Sequence, residues 1–173
     1  MPKSLPLSRH RFKFKAKEMA PKITELGRKI EKGIPNKKLL LVGIDFAGIP
    51  ISAGLERAIK NRDIAAVSLR ASSKKGEFDE QKFSEILTKA RKENRAVVFV
   101  DWRTKTGALG SVLAQKMPKN TRWKYAVLYD PLKRANIRVS VKEGPWFGDM
   151  KFDAVTKRRI QKEVERSRLE YFR

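Results

Sequence analysis

The sequence predicts an α/β fold, one domain with a central, mostly parallel sheet of about five strands flanked by helices. Three observations carry this. The runs Leu39–Ile44, Ile64–Leu69 and Val97–Val100 are apolar throughout rather than alternating, as strands buried on both faces are. Segments of helical periodicity stand between them. A chain of 173 residues, 40% of them hydrophobic, is long enough for one sizeable core and too apolar for a disordered one.

Residues 1–17 read as a basic N-terminal arm, 18–150 as the α/β domain and 151–173 as a basic C-terminal helix. In the arm, Arg9, Arg11, Lys13, Lys15 and Lys17 take every odd position. An extended chain sets these cations on one side and His10, Phe12, Phe14 and Ala16 on the other. Such a segment is either an edge strand whose phenylalanines dock on the core or an arm along a phosphate backbone. A helix is expected from near Glu18 to Lys32, with Ile23, Leu26 and Ile30 as its stripe. Pro21 suits its first turn, and Gly33 and Pro35 end it.

The strand Leu39–Ile44 leads into a loop at Asp45–Pro50 and a helix at Ile51–Lys60, with Ile51, Leu55, Ala58 and Ile59 inward. Ile64–Leu69 follows, then a basic loop, Arg70–Gly76, that holds Lys74 and Lys75. Asp79–Lys92 is an amphipathic helix with Phe83, Ile86, Leu87 and Ala90 on its apolar face. After Val97–Val100 come a helix at Leu109–Lys116 and strands at Tyr125–Tyr129 and Ile137–Val141. The three long apolar runs should be adjacent central strands. From Asp153 onward a charged helix carries Lys157, Arg158, Arg159, Lys162, Arg166 and Arg168.

Composition narrows the chemistry. There is no cysteine, which excludes disulfides, thiolate nucleophiles and thiolate metal sites. The single histidine, His10, excludes a histidine-based triad and a multi-histidine metal centre. No run approaches the roughly 20 apolar residues of a membrane span. Nor does the N-terminus carry an apolar secretory stretch, so no membrane partner and a cytoplasmic location are expected. Abundant Lys, Arg and Glu with little Gln point towards a thermophilic source. The balance of 41 Lys and Arg against 19 Asp and Glu gives a formal net charge of +22. A surface so positive fits a nucleic-acid partner.

Ligands of parallel sheets bind beyond the carboxyl ends of the strands. Three strand-end loops have suitable chemistry. In Asp45-Phe46-Ala47-Gly48, small residues let backbone N–H groups approach an anion. Arg70–Gly76 is cationic. Lys105-Thr106-Gly107-Ala108 follows a buried strand and opens a helix, the arrangement of a phosphate site.

Taken together and in this order, these segments resemble the type I phosphoribosyltransferases over about residues 20–148. That family has a strand ending in two acids, followed by a Thr-Thr-Gly-type loop for the ribose 5-phosphate. Val97–Leu109 looks like that segment, and Gly43–Ser52 looks like the family's pyrophosphate loop and helix. Arg70–Phe78 falls where the family has its flexible catalytic loop, and Pro145-Trp146-Phe147 where purine-type members cover the base. Asp101 matches the first acid. Trp102 stands at the second, Lys105 replaces the first threonine, and Leu109 replaces a small or hydroxylated residue. A tryptophan cannot accept hydrogen bonds from ribose hydroxyls. Trp102 either packs in the core or faces the cleft, where it blocks the sugar or stacks on a nucleotide.

Two functions follow. The first is an RNA-binding protein on a catalytically degenerate phosphoribosyltransferase-like fold, associated with ribosomal RNA or another large RNA assembly. It needs no cofactor and keeps a phosphate or nucleotide in the relic site. The second is an active phosphoribosyltransferase acting on a purine or related base. The resemblance implies that it would use Asp101, Thr106 and Gly107 on PRPP with Mg²⁺. The charge and the broken acidic pair favour the first.

Overall fold

The computed structural model describes residues 13–14, 16–72, 76–103, 107–129, 133, 135–138, 148–150 and 158. In chain order they form β1 (Lys13–Phe14), α1 (Ala16–Gly33), β2 (Lys38–Ile44), α2 (Asp45–Ala58), β3 (Asp63–Leu69), β4 (Ala71–Ser72) and β5 (Glu77–Phe78). Then come α3 (Glu80–Lys92), β6 (Ala96–Arg103), α4 (Ala108–Lys116), β7 (Trp123–Tyr129), β8 (Ile137–Arg138) and β9 (Gly148–Met150). The main sheet has five strands in the order β3-β2-β6-β7-β8, and every pair in it is parallel. A parallel β1–β9 pair and an antiparallel β4–β5 pair stand apart from it.

Side-chain alternation sorts each central strand onto two cores. Leu39, Leu41, Val98, Val100, Ala126 and Leu128 meet α1 and α2 through Leu26, Ile30, Ile51 and Leu55. Leu40, Val42, Val97, Phe99, Tyr125 and Val127 meet α3 and α4 through Phe83, Ile86, Leu109 and Leu113. Phe99 and most of the leucines among these are fully buried, each contributing about 1.5–3 kcal/mol on leaving water. The α3 stripe forms as its spacing predicts, and the Asp79 side chain caps the helix by accepting from the Lys82 N–H at 2.9 Å. Arg62 ties the connection before β2 by donating to the Glu31, Ile34 and Asn36 carbonyls.

The expected fold class is the observed one, but several details differ. The run containing Ile64–Leu69 is adjacent to β2 yet lies at the sheet edge, and only Leu69 of β3 is buried. Its middle residues, Ala65 and Ala66, are too small to demand cover on both faces. Residues 45–50, expected as a loop, form the first turns of α2, which ends at Ala58 rather than Lys60. Pro21 lies inside α1 because that helix already begins at Ala16. β6 runs on through Asp101 to Arg103, since its register with β7 continues to the Arg103–Tyr129 pair. β7 begins at Trp123, two residues early, because Val97 pairs with Trp123 and Val98 with Lys124. Of Ile137–Val141, Ile137–Arg138 form β8 and 139–141 lie outside the described residues. The N-terminal arm contributes β1, and of the C-terminal helix only Arg158 is described, helical and exposed.

Candidate functional site

The strand order places the site. The strand order reverses between β2 and β6, the chain stepping outward to β3 on one side and to β7 and β8 on the other, and ligands of open parallel sheets bind at such a switch point, beyond the carboxyl ends. Gly43 pairs with Val100, so the ends of these two strands lie side by side. Ile44–Asp45 and Asp101–Arg103 therefore meet at one edge.

The turn from β2 into α2 is abrupt. Ile44 is extended at φ −81° and ψ 118°, and Asp45 turns the chain at φ 52°. This is the left-handed region, which Asp tolerates better than most residues. Two glycines let α2 press directly on the strands. A Cβ at Gly43 would sit 2.9 Å from the Ile49 nitrogen, and one at Gly48 would overlap the Val100 carbonyl oxygen. This close approach overrides the usual reading of Gly and Pro as helix breakers and puts the start of α2 at the switch point. Gly48 itself is buried, and the side chains of Phe46 and Ala47 lie outside what the structure describes. One turn after Gly48, the buried Ser52 Oγ has no hydrogen-bond partner among the described residues.

The end of β6 splits its side chains between the two faces. Asp101 is 5% exposed and lies on the α4 side. Its Oδ2 accepts from the Tyr125 hydroxyl at 3.1 Å and its Oδ1 from the Trp102 N–H at 2.7 Å. The Tyr125 ring packs on α4, where a Cβ at Gly110 would lie 3.1 Å from Cδ1. Trp102, 4% exposed, joins the opposite core with α1 and α2. Of the two readings of Trp102, core packing is the one the structure shows. The Tyr125 bond to Asp101 was not foreseen, although a tyrosine on the neighbouring parallel strand is the signal that finds it.

Gly107 opens α4 from a left-handed conformation, φ 75° and ψ 3°, and is buried. Backbone N–H groups and the positive end of the helix dipole lie at such a start. Of the anticipated phosphate loop, Gly107 and Ala108 are placed here, and Lys105 and Thr106 lie outside the described residues. The basic loop at 70–76 is in part a hairpin, since Ala71 pairs with Phe78 and Ser72 with Glu77. Gly76, at φ +73°, approaches the first turn of α4, with a Cβ there 3.2 Å from the Ala108 carbonyl. Phe78 anchors the hairpin on Phe83 at 4.7 Å, and Lys116 of α4 pairs with Glu80 and lies 5.4 Å from the Phe78 ring centre. The fold thus brings the second and third expected loops together.

Arg70 is exposed, as is Arg158. The backbones of Lys13 and Lys17 lie in β1 and α1 without described side chains. Arg9, Arg11, Lys15, Lys74, Lys75, Lys157, Arg159, Lys162, Arg166 and Arg168 lie outside the described residues. Among the described residues no group of three or more His, Asp or Glu is placed to hold a metal. No helix among them is long and apolar enough to cross a membrane.

A five-stranded parallel sheet with this order, two helices on each face and a switch-point site defines a phosphoribosyltransferase-like fold. Solved structures agree. A hypoxanthine-guanine phosphoribosyltransferase from Bacillus anthracis is 18% identical, with 79% of each chain covered and a TM-score of 0.50. The hypoxanthine phosphoribosyltransferase from Trypanosoma cruzi, in complex with IMP, is 18% identical over 80% of this chain and 84% of that one, at 0.52. The Helicobacter pylori xanthine-guanine-hypoxanthine phosphoribosyltransferase is 14% identical over 86% and 97%, at 0.51. At such identities the likeness is one of fold. Residues 3–143 match the family described as "Tellurite-like stress resistance cysteine protease StiP", and the chain belongs to that family. It contains no cysteine, so the thiolate in that description has no counterpart in these 173 residues. No curated protein sequence matches the chain.

Proposed function

We propose that this protein binds RNA on a phosphoribosyltransferase-like scaffold that has lost its ribose site. The observation that carries the reading is the net charge of +22, which far exceeds what a small-molecule enzyme needs. The site's geometry supports the loss of catalysis. Where the resemblance calls for a second acid, Trp102 is committed to the core. The remaining acid, Asp101, is engaged by Tyr125 and the Trp102 N–H. A single buried carboxylate whose two oxygens already accept hydrogen bonds does not fit the task of holding Mg²⁺. Cysteine proteolysis, which the family's description names, lacks its nucleophile in this chain.

The anion chemistry of the scaffold survives this loss. In the sequence Lys105 and Thr106 directly precede Gly107, and on this reading their ammonium and hydroxyl would add to the backbone N–H groups at the start of α4 in taking an RNA phosphate or a free phosphate. The cations at 9–17 and 157–168 supply further phosphate contacts. Ribosomal RNA is the most concrete partner.

The test is a fluorescence anisotropy titration of labelled RNA at several salt concentrations. Nanomolar-to-micromolar binding with a log–log salt slope steeper than about −3 is expected, at roughly 0.7–0.9 per phosphate contact. Lys105→Glu should remove part of the affinity, and PRPP with common bases should give no turnover. Absence of RNA binding, or robust PRPP turnover that Asp101→Asn abolishes, would reverse the reading.

A further inference from the structure

A second basic site lies at the other end of the sheet. The residues that precede β2, β6 and β7 mark its amino edge, a full strand length from Asp101. A cleft of about 590 Å³ opens there, between the end of α3, the turn before β7 and the segment before β2. Arg91, Arg95, Lys119 and Arg122 line it, together with Asn36, Asn94 and Asn120, and no carboxylate among the described residues does. Leu87, Ala90 and Pro118 give it an apolar floor.

Two nearby acids among the described residues, Glu93 and Asp63, are already paired. Glu93 accepts from Lys89 at 2.6 Å and from the Arg95 Nε at 2.5 Å. Asp63 takes both terminal nitrogens of Arg95, at 3.0 and 3.2 Å. Arg95, with 11% of its side chain exposed, is thus a structural clamp. It leaves Arg91, Lys119 and Arg122 exposed at the cleft with no acidic partner among the described residues. Arg122 donates to the Asn36 Oδ1 at 3.2 Å, which fixes that amide and leaves its NH₂ group as a donor. A helix dipole explains basic residues in the last turn of α3, Arg91 included. It does not explain Lys119 and Arg122, which stand in a turn between α4 and β7.

We propose that this cleft is a second RNA contact, seating the phosphodiester backbone of a single strand with a sugar or base against the apolar floor. Three separated cations with amide donors and no acid suit a run of phosphates better than one small anion. The inference rests on the RNA-binding reading above, and adds a face to it on the side of the sheet away from the phosphate loop.

The experiment uses the full chain, a labelled single-stranded RNA 12-mer, and the triple variant Arg91→Ser, Lys119→Ser, Arg122→Ser. Its fold is checked by thermal melting. At about 0.7 per contact, three lost contacts should lower the salt slope by about 2 and the affinity on the order of 100-fold near 0.1 M salt. A control variant, Lys22→Ser, Arg28→Ser, Lys82→Ser, removes the same charge elsewhere and should lose less than about 10-fold. If the wild type binds and the cleft variant keeps its affinity and slope, this inference fails while the RNA reading stands. Equal losses in cleft and control variants overturn it too, since the effect is then net charge alone. If tripolyphosphate binds at the cleft and the variant's RNA affinity is unchanged, the site serves a free oligophosphate and the inference fails. If the wild type binds no RNA, both readings fall.

Discussion

Gly48→Ala is the sharpest test of how the switch point is built. The added Cβ overlaps the Val100 carbonyl oxygen and comes within 3.0 Å of the Gly43 carbonyl carbon. Both neighbours are backbone of the two central strands, so neither yields as a flexible side chain does. Overpacking a core that can adjust costs about 1–3 kcal/mol. Here the clash should reach at least the top of that range, about 3 kcal/mol. Alanine's better helix propensity returns about 1 kcal/mol. The net loss is then about 2 kcal/mol or more, which lowers the melting temperature by roughly 4–8 °C for a domain of this size. Gly33→Ala is the control, because its Cβ would meet only the Ile137 Cδ1 at 3.5 Å, an ordinary contact. It should be neutral or stabilising by up to about 1 kcal/mol. Urea unfolding followed by far-UV circular dichroism measures both. A Gly48→Ala protein within about 0.5 kcal/mol of wild type would refute the close packing of α2 on β2 and β6.

Two further outcomes follow from the buried and clamped acids. Tyr125→Phe removes a donor from the buried Asp101 carboxylate and should cost about 1–3 kcal/mol in urea unfolding; no change would mean that Tyr125 contributes only its ring. Glu93 is held at about 2, below its ordinary 4.5, by hydrogen bonds from Lys89 and then Arg95. A lowered carboxylate stabilises the fold above its unfolded pKa, and that contribution is lost as pH falls from 4.5 to about 2. The wild-type melting temperature should therefore drop through this window, and Glu93→Gln should flatten the drop; parallel profiles would exclude the clamp.

What could be read from sequence was the period-based layer of the structure. Continuous apolar runs at 39–44 and 97–100 had to be central parallel strands, because no polar residue offers either face to water. The stripe at Phe83, Ile86 and Ala90 was equally local. Charge and the absence of cysteine, both sums over residues, bounded the chemistry without any coordinates. Sequence resemblance also picked out the two strand ends that meet at the switch point.

Tertiary structure decided everything that depends on which surfaces touch. Residues 45–50 carry the local marks of a loop, yet Gly43 and Gly48 let helix and strand backbones meet there, and that contact makes them helical. Trp102 was ambiguous because a strand's alternation sets only which face a side chain takes, and the helices covering that face are chosen by topology. The apolar run in β3 gave no sign of its edge position, since strand order is a long-range property. The basic cleft at the amino edge was hidden for the same reason. Asn36, Arg91 and Arg122 come from three distant stretches of chain, and only the packing of the sheet and α3 puts them around one space.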